Sequence, residues 1–316
     1  AHYIFIAAPF MICSFIMNNL LRFQGKASFA MVGITVGGLL NIALDPLFIF
    51  TLDMGTAGAA LATGLSQFIS FCILLWMCNH QDSCISISIR KFRPKLAIYR
   101  EVLYGGIPSL GRQGIASVAT ILMNFMCQPY GDAAIAAMSI VSRFMFFINS
   151  VIIGFGQGFQ PVCSYCFGAG LYDRVKKACW FCIRVSTIIL LVLSVISFPA
   201  ARSIITLFRR NDPTVIEIGT LALRLQLITL PLQGAVIMGN MMPQSIGYGF
   251  RATLVSTARQ GIFLIPLLTI MTYTIGLLGI QCAQPLADIA TFILSLFVIR
   301  GIFKEFPEDA SSFAAQ

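Results

Sequence analysis

Long apolar stretches, separated by short polar or glycine-containing segments, follow one another along the whole chain. A helix that crosses a bilayer needs about 20 mainly apolar residues. Nine stretches satisfy this requirement, and we predict that each forms one transmembrane helix: 1–21, 28–52, 55–78, 103–127, 133–160, 178–200, 215–242, 254–274 and 277–300. The pattern predicts an all-α polytopic membrane protein.

Composition strengthens this interpretation and narrows the functional classes. The 316 residues are 58% hydrophobic and 10% charged, whereas soluble domains have about 25% charged residues. The net charge of +9 suits basic cytoplasmic loops, so no nucleic-acid partner is needed to explain it. The ten cysteines lie mostly in or beside apolar stretches. The lone C-x-x-C at Cys163–Cys166 lacks the second pair or the histidines of a metal site.

The distribution of Lys and Arg predicts the orientation in the membrane. If the first helix runs from outside to inside, only Arg202, Arg209 and Arg210 lie in outer connections. Fourteen basic residues then lie in or beside inner connections: Arg22, Lys26, Arg90, Lys91, Arg93, Lys95, Arg100, Arg174, Lys176, Lys177, Arg251, Arg259, Arg300 and Lys304. This asymmetry follows the positive-inside rule and predicts a cytoplasmic C-terminus.

A weak internal repeat suggests two related halves, which is a common plan of transporters. Three matching pairs share one offset along the chain: Asn19 with Asn240, Gly55 with Gly276 and Gly58 with Gly279. Pro46 matches Pro266 at an offset that is shorter by one position. By this repeat, about three helices of the first half would precede Ala1. We therefore expect the last three helices of a first lobe (1–78), a cytoplasmic loop (79–102), a second six-helix lobe (103–302) and a cytoplasmic tail (303–316).

The segment NIALDPLFIF, residues 41–50, places polar groups inside a predicted span. Asn41 and Asp45 are four residues apart and share a helix face. Pro46 has no N–H for the carbonyl of Ile42, so we expect a kink and a freed carbonyl there. Carboxylate, amide and carbonyl oxygens suit a small cation, and the carboxylate alone suits a proton. The alternative is that Asp45 is a structural cap or ion-pair partner at the kink.

Thr63, in the following helix, is predicted to lie at the same depth as Asp45. It lies eight residues from the outer end of its helix, or about 12 Å at the α-helical rise. Asp45 lies seven residues from the outer end of its own helix, or about 10 Å. Asn41, Asp45 and Thr63 are therefore predicted to form one polar site, with Na⁺ a possible ligand.

Four segments together carry a resemblance that covers essentially the whole chain. RFQGKASFAMVGITVGGLLNIALDPLFIFTLDMGTAGAALATGLSQF, GIPSLGRQGIASVATILMNF, GFGQGFQPVCSYCFGAGLYDRVKKA and TARQGIFLIPLLTIMTYTIGLLGI are similar to segments of the multidrug and toxic compound extrusion (MATE) transporters, bacterial drug-efflux branch. The resemblance implies helices four to twelve of a twelve-helix, two-lobe (6+6) fold. It also implies that Asn41, Asp45 and Thr63 match cation-site positions of the family's first lobe.

Other polar residues within spans are candidates for a substrate cavity. They are Arg112, Gln113, Arg143, Gln157, Gln160 and Asp288. Gln157 and Gln160 lie before Pro161, where we expect an irregular turn. Asp288 is expected either to bind substrate or to pair with an arginine. The glycines of GFGQGF favour close helix packing over a phosphate cradle.

These observations together predict a secondary active transporter. It would export organic cations or similar lipophilic compounds in exchange for H⁺ or Na⁺, without a cofactor, as a monomer in the bacterial plasma membrane. A lipid-linked oligosaccharide flippase of the same superfamily is the alternative, and it would need a more cationic cavity. An intramembrane enzyme would need a cluster of His, Ser or carboxylate groups at one depth. We expect no enzymatic activity, because the two histidines lie at the chain start and in the long loop.

Overall fold

The computed structural model describes residues 2–80, 95–209 and 212–306, and every regular element within them is helical. The side chains at positions 2, 3, 80, 101, 102, 104–109, 111 and 112 lie outside this description. The chain forms two compact units, residues 1–95 and 96–316. Eight segments of the described residues are long and apolar enough to span a membrane. The prediction of an all-α polytopic membrane protein is confirmed.

The first unit consists of three helices and one π-helical turn. These are α1 (His2–Phe23), α2 (Ala27–Pro46), the π turn (Leu47–Thr51) and α3 (Gly55–His80). A Cβ atom at Gly33 would lie 2.4 Å from the Leu74 side chain, and one at Gly37 would lie 2.9 Å from Ser70. Because these glycines let α2 approach α3 closely, the Ser70 hydroxyl can donate to the carbonyl of Gly33 at 2.9 Å.

The second unit contains eight α-helices. They are α4 (Leu96–Cys127), α5 (Asp132–Gly168), α6 (Tyr172–Phe208), α7 (Pro213–Thr229), α8 (Gln233–Ser245), α9 (Gly249–Thr257), α10 (Leu264–Ile275) and α11 (Leu277–Glu305). A 3₁₀ turn, Leu230–Leu232, joins α7 to α8, and a second π turn, Ala258–Phe263, joins α9 to α10. Helices α7 and α8 together form one membrane span, and so do α9 and α10. The apolar stretches predicted these two spans but not the 3₁₀ turn and the π turn inside them.

Helix boundaries differ from the predicted ones mainly at polar ends. The predicted span 133–160 lies in α5, which is 37 residues long. The helix is longer than the predicted span because a helix can continue past the apolar residues that cross the membrane core. The last seven residues of the predicted loop 79–102 are helical, since α4 begins at Leu96. The predicted span 103–127 lies in α4, and loop residues 81–94 and tail residues 307–316 lie outside the description.

The α1–α2 and α8–α9 pairs are held by the same hydrogen bond. The Asn18 amide donates to the carbonyl of Ala30 at 2.7 Å, and the Asn240 amide donates to Ala252 at 2.6 Å. Asn18 precedes Asn240 by the same number of residues as Ala30 precedes Ala252. This spacing is one residue longer than the spacing of the predicted repeat. The predicted match of Asn240 with Asn19 is therefore wrong by one residue, while the structural correspondence supports two related halves.

The turns that follow α1 and α8 are also equivalent. Gly25 and Gly247 have φ values of +78° and +88°, a left-handed conformation that favours glycine. After each glycine, a backbone N–H bonds to the carbonyl five residues earlier, from Lys26 to Leu21 at 2.9 Å and from Tyr248 to Pro243 at 2.8 Å. This is the Schellman ending of a helix, which satisfies a terminal carbonyl.

We predict that Asn18→Ala and Asn240→Ala each destabilise the protein by about 1 kcal/mol, the usual range for one interhelical hydrogen bond in a membrane protein. Asn19→Ala is the matched control, because the Asn19 amide bonds within its own helix, to Phe15. The thermal unfolding midpoint in detergent measures the effect. An equal loss in the Asn19→Ala protein would contradict the interhelical role of Asn18.

Candidate functional site

The π turn after Pro46 gives the first candidate site its backbone geometry. Pro46 cannot donate to the carbonyl of Ile42, and the N–H of Leu47 bonds to Leu44 instead of the residue four positions earlier. The N–H of Leu52 then bonds to Leu47 at 3.1 Å, in the wider i→i−5 pattern. The regular α-helix therefore ends at the proline, directly after Asp45, where the sequence predicts a break.

The structure brings the three predicted polar side chains together. Asn41 Nδ2 lies 3.4 Å from Asp45 Oδ1 and 3.4 Å from Thr63 Oγ1. The Asp45 and Thr63 oxygens therefore flank one amide group. The Thr63 hydroxyl also donates to the carbonyl of Ala59 at 2.9 Å, which fixes its rotamer along α3. Helix α2 supplies Asn41 and Asp45 on one face, and α3 supplies Thr63 beside them.

This cluster is polar but only loosely bonded. Both 3.4 Å contacts are longer than ordinary N–H···O hydrogen bonds, which reach about 3.2 Å. Asp45 is half-buried and Thr63 is exposed. Among the described residues, no ion pair compensates the Asp45 carboxylate. The charge of the Asp45 carboxylate is therefore not balanced by a basic side chain of the described residues.

The donor set is also suitable for a monovalent cation. Asp45 and Thr63 present oxygens, and a flip of the Asn41 amide would exchange its nitrogen for a third oxygen at the same place. Hard cations prefer such carboxylate, hydroxyl and amide oxygens. The three side chains therefore offer a carboxylate, a hydroxyl and an amide oxygen to one small cation. Among the described residues, no group of three His, Cys, Asp or Glu side chains forms a transition-metal site.

A second polar cluster surrounds Asp288 in α11. This carboxylate is 1% exposed. Its Oδ1 accepts from Arg259 Nε at 2.8 Å and from Gln284 Nε2 at 3.2 Å, and its Oδ2 accepts from Gln233 Nε2 at 2.8 Å. Of the two expectations for Asp288, the structure shows the ion pair with an arginine. The charge is compensated inside the protein, as a buried carboxylate in a membrane requires.

Arg259 lies within a membrane span, as the predicted span 254–274 already implies. It belongs to the π turn between α9 and α10, which the sequence did not predict. Its side chain is 24% exposed and points to Asp288. Contact with this carboxylate on a different helix overrides the tendency of basic residues to lie at membrane boundaries. π turns often occur at functional positions. This one contains Arg259, the cation of the ion pair with the buried Asp288.

Of the other predicted cavity residues, Gln113, Arg143 and Gln160 are not among the described hydrogen-bond partners of Asp288. Gln160 Nε2 contacts Gln244 Oε1 at 3.3 Å, and Gln113 and Arg143 are exposed. Gln157 lies three residues earlier in α5, half-buried. The Arg112 side chain lies outside the described residues.

Helix α5 continues without a break through Pro161, so the expected irregular turn there is wrong. Contacts with α8 hold this part of the helix, because Gln160 contacts Gln244 and the Ser164 hydroxyl donates to the carbonyl of Ser245 at 2.9 Å. The predicted close packing of the glycine-rich segment is visible at Gly156, where a Cβ would lie 2.3 Å from Met241 Sδ.

Two features were missed by sequence reasoning. The pair Gly33 and Gly37 forms a G-x-x-x-G pattern, which is a known signal for close helix packing in membranes. It brings α2 against α3 and thereby places Asn41 beside Thr63. An arginine partner for Asp288 was one of two expectations, but no local signal identified Arg259, since the two residues belong to different helices.

Comparisons with known proteins agree with this architecture. The MatE family model matches residues 108–278, more than half of the chain. The chain is 28% identical over 308 residues to "Multidrug export protein MepA" of Staphylococcus haemolyticus, covering 98% of this chain and 68% of that protein. The chain is also 28% identical to the MepA protein of Staphylococcus saprophyticus. That match covers 93% of this chain and 65% of that protein. The chain thus spans about two thirds of the length of these curated relatives.

Solved structures show the same fold. An outward-facing multidrug resistance MATE family transporter of the MOP superfamily superimposes with a TM-score of 0.84 at 26% identity, over 93% of this chain and 66% of that one. A MOP superfamily transporter from Pyrococcus furiosus, described as having a binding pocket of reverse polarity that suggests a different function, gives a TM-score of 0.86 at 25% identity with the same coverage.

We predict that Asp288→Asn and Arg259→Gln each destabilise the protein by about 3–5 kcal/mol, because each leaves a buried partner uncompensated. The double substitution Arg259→Met with Asp288→Leu should cost less than the sum of the single changes, since no charge is left unpaired. Thermal unfolding of the four proteins measures this coupling. Single variants as stable as the wild type, or costs that simply add, would contradict a structural ion pair.

Proposed function

Because the chain belongs to the MatE family, the multidrug and toxic compound extrusion transporters, we propose that it acts in secondary active multidrug efflux. The named relatives are multidrug export proteins, and the family consists of transporters rather than enzymes. The eight apolar spans of the described residues make this a multi-pass membrane protein. The proposed substrates are organic cations and similar lipophilic compounds, which need no reaction at the site to be carried.

One observation supports coupling to an ion: Asn41, Asp45 and Thr63 converge beside the π turn, and no basic side chain of the described residues pairs with the carboxylate. A charge in the membrane interior costs at least about 2.5 kcal/mol, so its neutralisation is a strong driving event. In our proposal, arrival of H⁺ or Na⁺ at Asp45 neutralises that charge and alters the turn after Pro46. The resulting shift between conformations favours release of substrate to the outside.

The two coupling ions make different demands on the site. A proton needs only the Asp45 carboxylate. Sodium needs the oxygens of Asp45 and Thr63 together with a flipped Asn41 amide. Thr63→Ala should therefore weaken efflux driven by a Na⁺ gradient more than efflux driven by a proton gradient, so the variant distinguishes the two ions.

The predicted cavity residues whose side chains the structure describes support drug efflux over the flippase alternative. A lipid-linked oligosaccharide carries phosphate charge and calls for several cationic groups in that cavity. Arg143, exposed on α5, is the one cation among these candidates, and Arg259 is neutralised by Asp288. The cation-seeking carboxylate at Asp45 fits an organic-cation antiporter better.

We predict that Asp45→Asn abolishes coupled efflux in the protein expressed from its complete reading frame. Asparagine keeps the volume but cannot bind a proton or hold Na⁺ by charge. Asn41→Ala and Thr63→Ala should be milder, because each removes one neutral ligand. The measurement is efflux of a fluorescent organic cation, normalised to the amount of protein in the membrane.

Asp53→Asn is the matched control for that substitution. Asp53 lies eight residues after Asp45 and adopts a left-handed conformation (φ 53°) between the π turn and α3, which asparagine tolerates well. The control should retain efflux. Wild-type efflux by the Asp45→Asn protein would show that this carboxylate is not the coupling group and would leave it a polar residue at a proline break.

We also propose that the protein lies in the bacterial plasma membrane with its C-terminus in the cytoplasm. The two ends of α6 must lie on opposite sides of the membrane. In a protein stripped of its native cysteines, Arg209→Cys should react with a membrane-impermeant maleimide in intact cells, whereas Arg174→Cys should react only after permeabilisation. The opposite labelling pattern would reverse the orientation.

A further inference from the structure

The first half of α6 borders a cavity that plays no part in the proposed transport mechanism. Its volume is about 670 Å³, and its lining residues in the described part of the chain all belong to α6: Lys176, Lys177, Trp180, Phe181 and Arg184. Steps of one, three, one and three residues separate them, so they form a single stripe along the helix. The side chains of two lysines, one arginine and two aromatic residues therefore line the same cavity.

Three of the five described residues that line the cavity are basic. No acidic residue is among its lining residues in the described part of the chain. The nearest carboxylate along the helix, Asp173, precedes Lys177 by one turn, and none of the ion pairs in the described ranges involves Lys177 or Arg184. Lys176 Nζ lies 6.0 Å from the centre of the Phe306 ring at the end of α11. A cation–π contact leaves its charge available to an anion.

The length of α6 places this cavity at the membrane boundary. The helix has 37 residues and is about 55 Å long, whereas the hydrocarbon core is about 30 Å thick. Between Arg184 and Arg202 lies an uncharged stretch, residues 185–201, about 25 Å in length. Arg184 thus marks one edge of the hydrocarbon, and Lys177 lies about 10 Å beyond it, at the level of lipid headgroups.

An exposed apolar surface continues from the cavity into the membrane. Phe181 is 63% exposed, Ile188 60% and Val195 64%. They are seven residues apart and lie on the same side of α6. Trp180, 37% exposed, has the amphipathic ring that is typical of the membrane interface. A molecule with an anionic head and long apolar tails matches both parts of this surface.

We propose that the cavity binds the headgroup of an anionic phospholipid such as phosphatidylglycerol. The phosphate lies among Lys176, Lys177 and Arg184, and the acyl chains follow the apolar side of α6 that includes Ile188 and Val195. Basic cavities at the ends of transmembrane helices bind such lipids, because each cation near an anionic membrane surface makes the binding free energy more favourable.

Tryptophan fluorescence can test the site directly, because the chain has two tryptophans. The Trp76→Phe protein reports from Trp180 alone. Reconstituted into phosphatidylcholine bilayers, it should be quenched more strongly by brominated phosphatidylglycerol than by brominated phosphatidylcholine at equal content. Inorganic phosphate in the buffer should leave this preference unchanged. Equal quenching by the two lipids, or loss of the preference on adding phosphate, would overturn the assignment to a lipid.

Neutralising the cations provides the second arm of the experiment. In the same Trp76→Phe background, each of Lys176→Gln, Lys177→Gln and Arg184→Gln should reduce the preference for phosphatidylglycerol by about fivefold, the usual weight of one cation near an anionic surface. Arg202→Gln, at the opposite end of the uncharged stretch, is the matched control and should change nothing. An undiminished preference in the three variants would show that these side chains do not form the site.

Discussion

In the hydrocarbon of a membrane, every backbone polar group and every charge must find a partner within the protein, or face water. Nearly all the described residues satisfy this constraint by helical hydrogen bonds. The exceptions are informative. At Pro46 the helix loses a donor and widens into a π turn, and the polar residues Asn41 and Asp45 lie five residues and one residue before the proline. At Ala258–Phe263 a second π turn carries Arg259 to a buried carboxylate.

Asp45 and Asp288, the carboxylates near these two π turns, differ in how their charge is compensated. Asp288 is buried and has three donors, two of them at 2.8 Å, so its charge is fixed inside the second unit. Asp45 is half-buried, has one contact at 3.4 Å and lacks an ion pair in the described part of the chain. The first arrangement stabilises a helix assembly. The second leaves the Asp45 carboxylate without a compensating cation among the described residues, and in our proposal H⁺ or Na⁺ takes that place.

The sequence predicted the parts of this picture that depend on local pattern. Apolar stretches located the eight spans found among the described residues, although the predicted span 103–127 is not one of them. The spacing of Asn41, Asp45 and Pro46 located the polar face and the helix break. Pattern could not supply partners that lie far apart in the chain, such as Arg259 and Asp288. It also placed the repeat one residue out of register at Asn19, since two neighbouring asparagines are equivalent in sequence and only the bond to Ala30 distinguishes Asn18. Pro161 was expected to break α5, but packing against α8 keeps that helix continuous.

In our proposal, Asp45 holds the ion that an organic cation displaces. The release of protons or Na⁺ can be measured when a fluorescent organic cation binds to the purified protein in weakly buffered detergent. Wild-type protein should release about one positive charge for each organic cation bound, and the Asp45→Asn protein should release none. Equal release by both proteins would contradict it, because the displaced ion would then be held elsewhere.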